Sequence, residues 1–220
     1  MKNVDFGPEA EGKSREAVIT EFVEYASERL HSQGIPVSAD VYGIVIDSEL
    51  DASLVGQNYY EMSKYLDYIS PMVYPSHYGP GNLGLAVPDA QPYETIYRSM
   101  SASRRVLAGL EGPEEEVEAV SGNDIPLKTE DVSGNGAVSA GARTELPDPK
   151  EMEPAEEIRA QVRPWLQDFT ATWVDGHITY GPEEIRAQIQ AVYDAGYEEW
   201  ILWNAANRYT EGGLLPEEEN

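Results

Sequence analysis

Four short stretches of the chain gather the side chains that could do chemistry. They are "ADVY", with Asp40 and Tyr42; "YPSHY", with Tyr74, His77 and Tyr78; "LQDFT", with Gln167 and Asp168; and "WNAANR", with Trp203, Asn204, Asn207 and Arg208. Each lies at the downstream end of an apolar run. The types are aromatic rings, amides and carboxylates, the repertoire of sugar recognition. Tyr and Trp offer flat apolar faces with a polar edge. Asn, Gln and Arg pair with hydroxyls. Asp40 and Asp168 are the carboxylates available for acid–base or nucleophilic work on a glycosidic bond.

Other chemistries find less support. "GPGNLG" sits in a long loop and opens no helix, so a phosphate-binding reading is weak. No nucleophilic serine elbow is present. His77 and His177 have no metal-site spacing, and the absence of Cys excludes thiolate ligands and disulfides. Neither a metal nor a cofactor is expected. Every candidate also has a plain structural alternative. Asp40 could cap a turn, His77 could hold its loop, and Trp203 could fill space. Alternation puts only one of Gln167 and Asp168 inward, and the sequence leaves open which.

The elements that must position these residues follow from periodicity. Residues 14–33 read as an amphipathic helix with Val18, Phe22, Ala26 and Leu30 on one stripe, Ile19 and Val23 beside it, and Gly34 as its stop. "IPVSADVYGIVI" reads as a strand. A short helix through Tyr59, Met62 and Leu66 precedes the strand "YISPMVY". Pro92 opens a helix with Ile96, Met100, Leu107 and Leu110 on one side. "VRPWLQDFTA" is a strand, "GPEEIRAQIQAVYDAG" a helix with Ile185, Ile189 and Val192 inward, and "YEEWILWNA" a last strand. Helices and strands alternate, which predicts parallel βαβ units with helix-covered strands. A doubly wound sheet and a (β/α)8 barrel both satisfy this, and both place sites at the C-terminal strand ends.

Between these halves, residues 111–153 are rich in Glu, Gly, Ser and Pro, and composition predicts a disordered acidic insert. It separates residues 1–110 from 154–212 of one domain, and 213–220 form an acidic tail. The whole chain carries 40 acidic and 15 basic residues, a net charge of −25. Nucleic acids and anionic membranes would be repelled. Only five of the basic residues are Lys, and a Lys-poor, acid-rich surface suggests work at high salt. No apolar run is long enough to span a membrane, and the first residues lack the apolar core of a secretory signal.

"DYISPMVYPSHYGPG", "RPWLQDF", "AGYEEWILWNAANRYT" and "VSADVYG" resemble a glycoside hydrolase domain family of bacterial proteins, a TIM-barrel group, over residues 13–110 and 158–210. Met72 and Tyr74 are also similar to the sixth-strand Met-x-Tyr of chitinase-type barrels, and Trp203 to their eighth-strand Trp. The resemblance implies an α/β fold: the C-terminal half of a (β/α)8 TIM barrel, strands five to eight. It implies a carbohydrate substrate; the strand-end residues Tyr42, Tyr74, His77, Tyr78, Gln167, Trp203, Asn204, Asn207 and Arg208 are then expected to bind it, with Asp40 and Asp168 catalytic. It also implies an exported or cell-envelope protein when full length.

Two departures from the family matter. The insert is longer than usual, and strands one to four are missing, including the fourth, which in such barrels commonly carries an essential carboxylate. A half-barrel exposes two strand edges and its inner face. Three outcomes are expected: pairing with a second copy or a complementing half-barrel chain, a truncated product, or a soluble open half-barrel. Truncation is the favoured one. A glycoside hydrolase, a non-catalytic carbohydrate-binding protein and an inactive fragment are the functions to distinguish.

Overall fold

The computed structural model describes residues 12–110 and 147–214. The chain divides into two units, residues 1–112 with 148–220 and residues 113–147. Apart from Pro147, the described residues belong to the first. The expected disorder of residues 111–146 falls outside them.

Helix α1, Arg15–His31, is capped by Ser14, whose side chain accepts the Ala17 N–H. Gly34 follows it with φ +72°. Strand β1, Ser38–Tyr42, runs into a 3-10 turn at Gly43–Ile46 and then helix α2, Glu49–Val55. Periodicity predicts no helix at α2, yet Ser48 caps it through the Asp51 N–H. Helix α3, Tyr59–Ser63, leads to strand β2, Tyr68–Met72, and Pro92 opens helix α4, Pro92–Leu107. Further along the chain come β3 (Gln161–Val162), β4 (Trp165–Gln167), α5 (Pro182–Asp194) and β5 (Ile201–Trp203).

All strand pairings are parallel, in the order β1-β2-β4-β5, with β3 also on β2. The fold is therefore mixed α/β with a parallel sheet, as the alternation of elements requires. The expected strand over 162–171 is broken and shorter. Pro164 has no N–H to give the ladder, so β3 and β4 are separate pieces. Their register against β2 is nevertheless continuous: Tyr68 faces Gln161, and Met72 faces Trp165.

One sheet face is covered by helices. Val41, Ile69, Val73 and Leu166 are fully buried with Ile96, Met100, Ile185 and Ile189. Tyr59, Met62 and Leu66 are buried as their spacing predicts. The other face carries the opposite parity: Asp40, Tyr42, Ser70, Met72, Trp165, Gln167, Ile201 and Trp203.

Three expectations need correction. Helix α1 buries Val23 and Ser27, while Val18 (42% exposed), Phe22 (65%) and Leu30 (37%) face outward. The α1 stripe chosen on apolarity is thus not the stripe packed against this sheet. Leu110 lies past the end of α4 and is exposed. Residues 147–153, assigned to the insert by composition, have defined structure: a turn at Pro149–Glu151, a buried Met152, and an ion pair from Lys150 to Asp194 at 3.5 Å.

Candidate functional site

Asp40 stands exposed on the face of β1 opposite the helix-packed core. Its Oδ1 accepts a 2.8 Å hydrogen bond from Trp165 Nε1, an indole that reaches across β2 from β4. Trp165 meets Trp203 of β5 edge-to-face, with centroids 5.9 Å apart and planes at 88°. Trp203 keeps 42% of its surface exposed. Three strands thus contribute to one arrangement: a carboxylate with an oriented indole beside it and a second indole open to solvent.

Tyr74 ends the run after β2. Its ring is buried, edge-on to His77 at 5.1 Å and to Phe169 at 6.1 Å. Burial raises the Tyr74 hydroxyl above the usual tyrosine range, and nearby Asp40 and Tyr209 raise it further. The hydroxyl is therefore a neutral hydrogen-bonding group within electrostatic reach of Asp40. His77 follows on the turn Pro75–His77, its N–H bonded to Tyr74 O at 2.8 Å. Desolvation of its ring lowers its pKa, which favours the neutral imidazole.

Both residues of the Gln167–Asp168 pair are buried, for different reasons. Gln167 is a polar hub beneath the site. Its Oε1 accepts the Ser76 N–H at 3.0 Å, and its Nε2 donates to Asp89 Oδ1 and Phe169 O at 3.0 Å each. Gln188 of α5 closes the network, accepting from Gln167 N–H at 3.0 Å and donating to Gln167 O at 2.8 Å. Asp168 faces the segment after β5. Its Oδ1 accepts from the Thr210 hydroxyl at 2.6 Å and its Oδ2 from the Thr210 N–H at 2.8 Å. Asn204 donates to Asp168 O and accepts the Ala206 N–H at 2.8 Å. Asn207 takes φ +52° and donates its N–H to Asn204 O. Arg208 is exposed on the same loop.

The remaining candidates lie apart. Tyr78 is turned into the helix layer, with its hydroxyl 3.2 Å from Ser99 Oγ of α4, and burial raises its pKa. Tyr42 is 54% exposed on the edge strand, and its N–H is taken by Gln57 Oε1 at 3.0 Å. The structure links Asp40 to Trp203 through Trp165 and Tyr74 to His77 by an edge-on ring contact, with the charge of Asp40 acting on the Tyr74 hydroxyl. It sets Asp168, Asn204 and Asn207 into a loop clamp, with Arg208 beside them. Gln167 supports from below, and Tyr78 belongs to the core.

Several residues of this region had not been singled out. Trp165 shares parity with Gln167, so alternation could have placed it. Phe169 and Tyr209 flank the chosen residues. Asp89 sits three residues before the helix-opening Pro92, is 1% exposed and holds Gln167. Among the described residues, no group of three or more His, Asp or Glu side chains could hold a metal, and no helix is long and apolar enough to cross a membrane. A shallow groove of about 530 Å³ by Tyr93, Pro182, Arg186 and Gln190 contains none of the site residues.

Comparison with curated proteins and with solved structures finds no match. A family model described as "Putative glycosyl hydrolase domain" matches residues 1–117 and 145–209, most of the chain. With its parallel sheet and its carboxylate-and-aromatic face, the chain belongs to that glycosyl hydrolase domain family.

Proposed function

We propose that this chain provides strands five to eight of a (β/α)8 barrel that hydrolyses O-glycosidic bonds in an oligosaccharide or polysaccharide. The observation that carries the reading is Asp40 on the sheet face opposite the helix-packed core, oriented by Trp165, against which the open indole of Trp203 stands edge-on. A barrel has helices outside and side chains inside, and one-sided helix cover matches that division. Strands β1, β2, β3–β4 and β5 then stand as fifth, sixth, seventh and eighth. The other four would come from a preceding segment, a second copy or a separate chain.

Asp40 is the carboxylate at the reacting bond, Tyr74 and His77 orient the sugar, and Trp203 stacks on it. Asp168 is a positioning residue, because both its oxygens hold Thr210. Glycosidases of this kind use two carboxylates, so the second would come from the remaining strands.

The test is hydrolysis of a panel of soluble oligosaccharides, followed by product chromatography, with binding measured in parallel. Asp40→Asn is expected to cut turnover by about a hundredfold or more while sparing binding. Full turnover by that variant would refute the assignment. Because only Asp40 among the proposed catalytic carboxylates stands on the open face, a second reading is a carbohydrate-binding protein without hydrolysis. Saccharide binding with no product even when the chain is assembled with its complementing strands would favour it.

A further inference from the structure

Trp173 is the most exposed large hydrophobic residue of the segment joining β4 to α5, at 67%. Its ring is not loose. Phe169 stacks beneath it, with centroids 6.0 Å apart and planes at 20°, and Phe169 in turn meets Tyr74 edge-on. The backbone around it is folded tightly. Val174 N–H bonds to Ala171 O at 2.9 Å, His177 N–H to Val174 O at 3.1 Å, and His177 Nδ1 donates to Val174 O at 2.8 Å. Ala171 is fully buried. Tyr180 N–H bonds to Thr170 Oγ1 at 3.0 Å, closing the segment at its far end. Gly176, at φ +79°, lies against Val87, where an added Cβ would stand 3.4 Å from the valine methyls.

We propose that Trp173 is an outer sugar-binding subsite, a platform on which a pyranose ring of a neutral polysaccharide stacks. This rests on the reading of the sheet's mouth as a saccharide site. An indole that shows one broad apolar face to water, backed by a second aromatic ring, can bind a flat apolar ligand surface at little cost in side-chain ordering. Ring contacts run from Trp173 through Phe169 to Tyr74. The charge of Asp40, which Trp165 links to Trp203, acts on the Tyr74 hydroxyl, so Trp173 belongs to the same strand-end cluster as Trp203. Neutrality of the ligand follows from the net charge of −25, which disfavours polyanionic glycans.

The experiment is titration calorimetry of the full chain and of Trp173→Ala, Trp173→Phe and Trp203→Ala. The probes are cellohexaose, maltohexaose and chitohexaose, with the matching disaccharides. Trp173→Ala is expected to weaken binding of the preferred hexasaccharide about tenfold and leave the disaccharide unchanged, and Trp173→Phe to recover most of the loss. Trp203→Ala should weaken both lengths. Thermal melting of Trp173→Ala should match the parent, since the ring is exposed. Unchanged hexasaccharide affinity in Trp173→Ala, with Trp203→Ala impaired, overturns the subsite and leaves the wider reading standing. Normal binding with an altered association state assigns the ring to a protein contact and also overturns it. No binding of any probe by the unmodified chain overturns the saccharide reading itself, and the subsite with it.

Discussion

Adjacent residues here carry separate duties. Gln167 and Asp168 were equal candidates on sequence, because alternation allows one inward side chain and does not say which. The structure buries both, Gln167 against Ser76, Asp89 and Phe169, and Asp168 against Thr210. A carboxylate of greater structural weight, Asp67, was not among the candidates at all. It accepts the Val37 N–H at 2.7 Å, Arg159 at 2.7 Å and His31 at 2.7 Å, tying the end of α1 to the start of β1 and β3. The Val37 hydrogen bond, with Arg159 and His31, holds its pKa well below the usual carboxylate range despite partial burial. A depressed folded-state pKa gives stability that is complete above the unfolded value near about 4 and is lost as pH falls through the folded one. Asp67→Asn is therefore expected to melt several degrees lower at neutral pH, with the gap to the parent closing under strong acid. Melting curves at a series of pH values check it; a gap independent of pH would mean that the ionised form contributes nothing.

At the scale of elements, local sequence signals were reliable where the chain chooses its own conformation. Ser14, Gly34, Pro92 and Pro182 mark helix ends where propensity puts them. The signals weakened where neighbours decide. Pro164 divided a strand whose apolar pattern is continuous. The exposed Val18, Phe22 and Leu30 show that an apolar stripe can exist without meeting this sheet. Close packing at the β1 exit is a further tertiary matter. Gly43 has negligible room: an added Cβ would press on Tyr78 Oη, Met72 O and Val73 Cγ1. All three are backbone or buried core, so they cannot swing aside. Gly43→Ala is expected to cost about 2 kcal/mol through overpacking. Urea denaturation would read this as a lower midpoint, and an unchanged midpoint would contradict the packing argument.

Across the whole molecule, charge and open edges act together. With 40 acidic residues against 15 basic ones, self-repulsion opposes both compaction and association. Strands β1 and β5 end the sheet, and among the described residues no strand pairs with their outer sides. The Tyr42 N–H is nevertheless covered by Gln57, one way of blunting an edge. Screening shortens the range of repulsion about threefold between about 0.1 M and about 1 M salt. Raising NaCl over that interval is expected to lift the melting temperature by several degrees and to favour any association through the edges. Calorimetry and sedimentation velocity at both concentrations would test this. A melting temperature that is flat or falling would show that charge repulsion is not what limits stability.

By itself the sequence determined the alternation of helices and strands, the parallel sheet, the family and the strand-end clusters that hold Asp40, Tyr74 and Trp203. Those features depend on local periodicity, capping and turn residues, all of which are written along the chain. Only the tertiary structure decided which residues of each cluster share a surface. Trp165 crosses β2 to reach Asp40, Tyr78 turns away to Ser99, and Asp168 closes on Thr210. Such choices depend on contacts between residues 21 to 125 positions apart. Side-chain direction over such separations is set by packing and hydrogen-bond satisfaction, which no local pattern encodes.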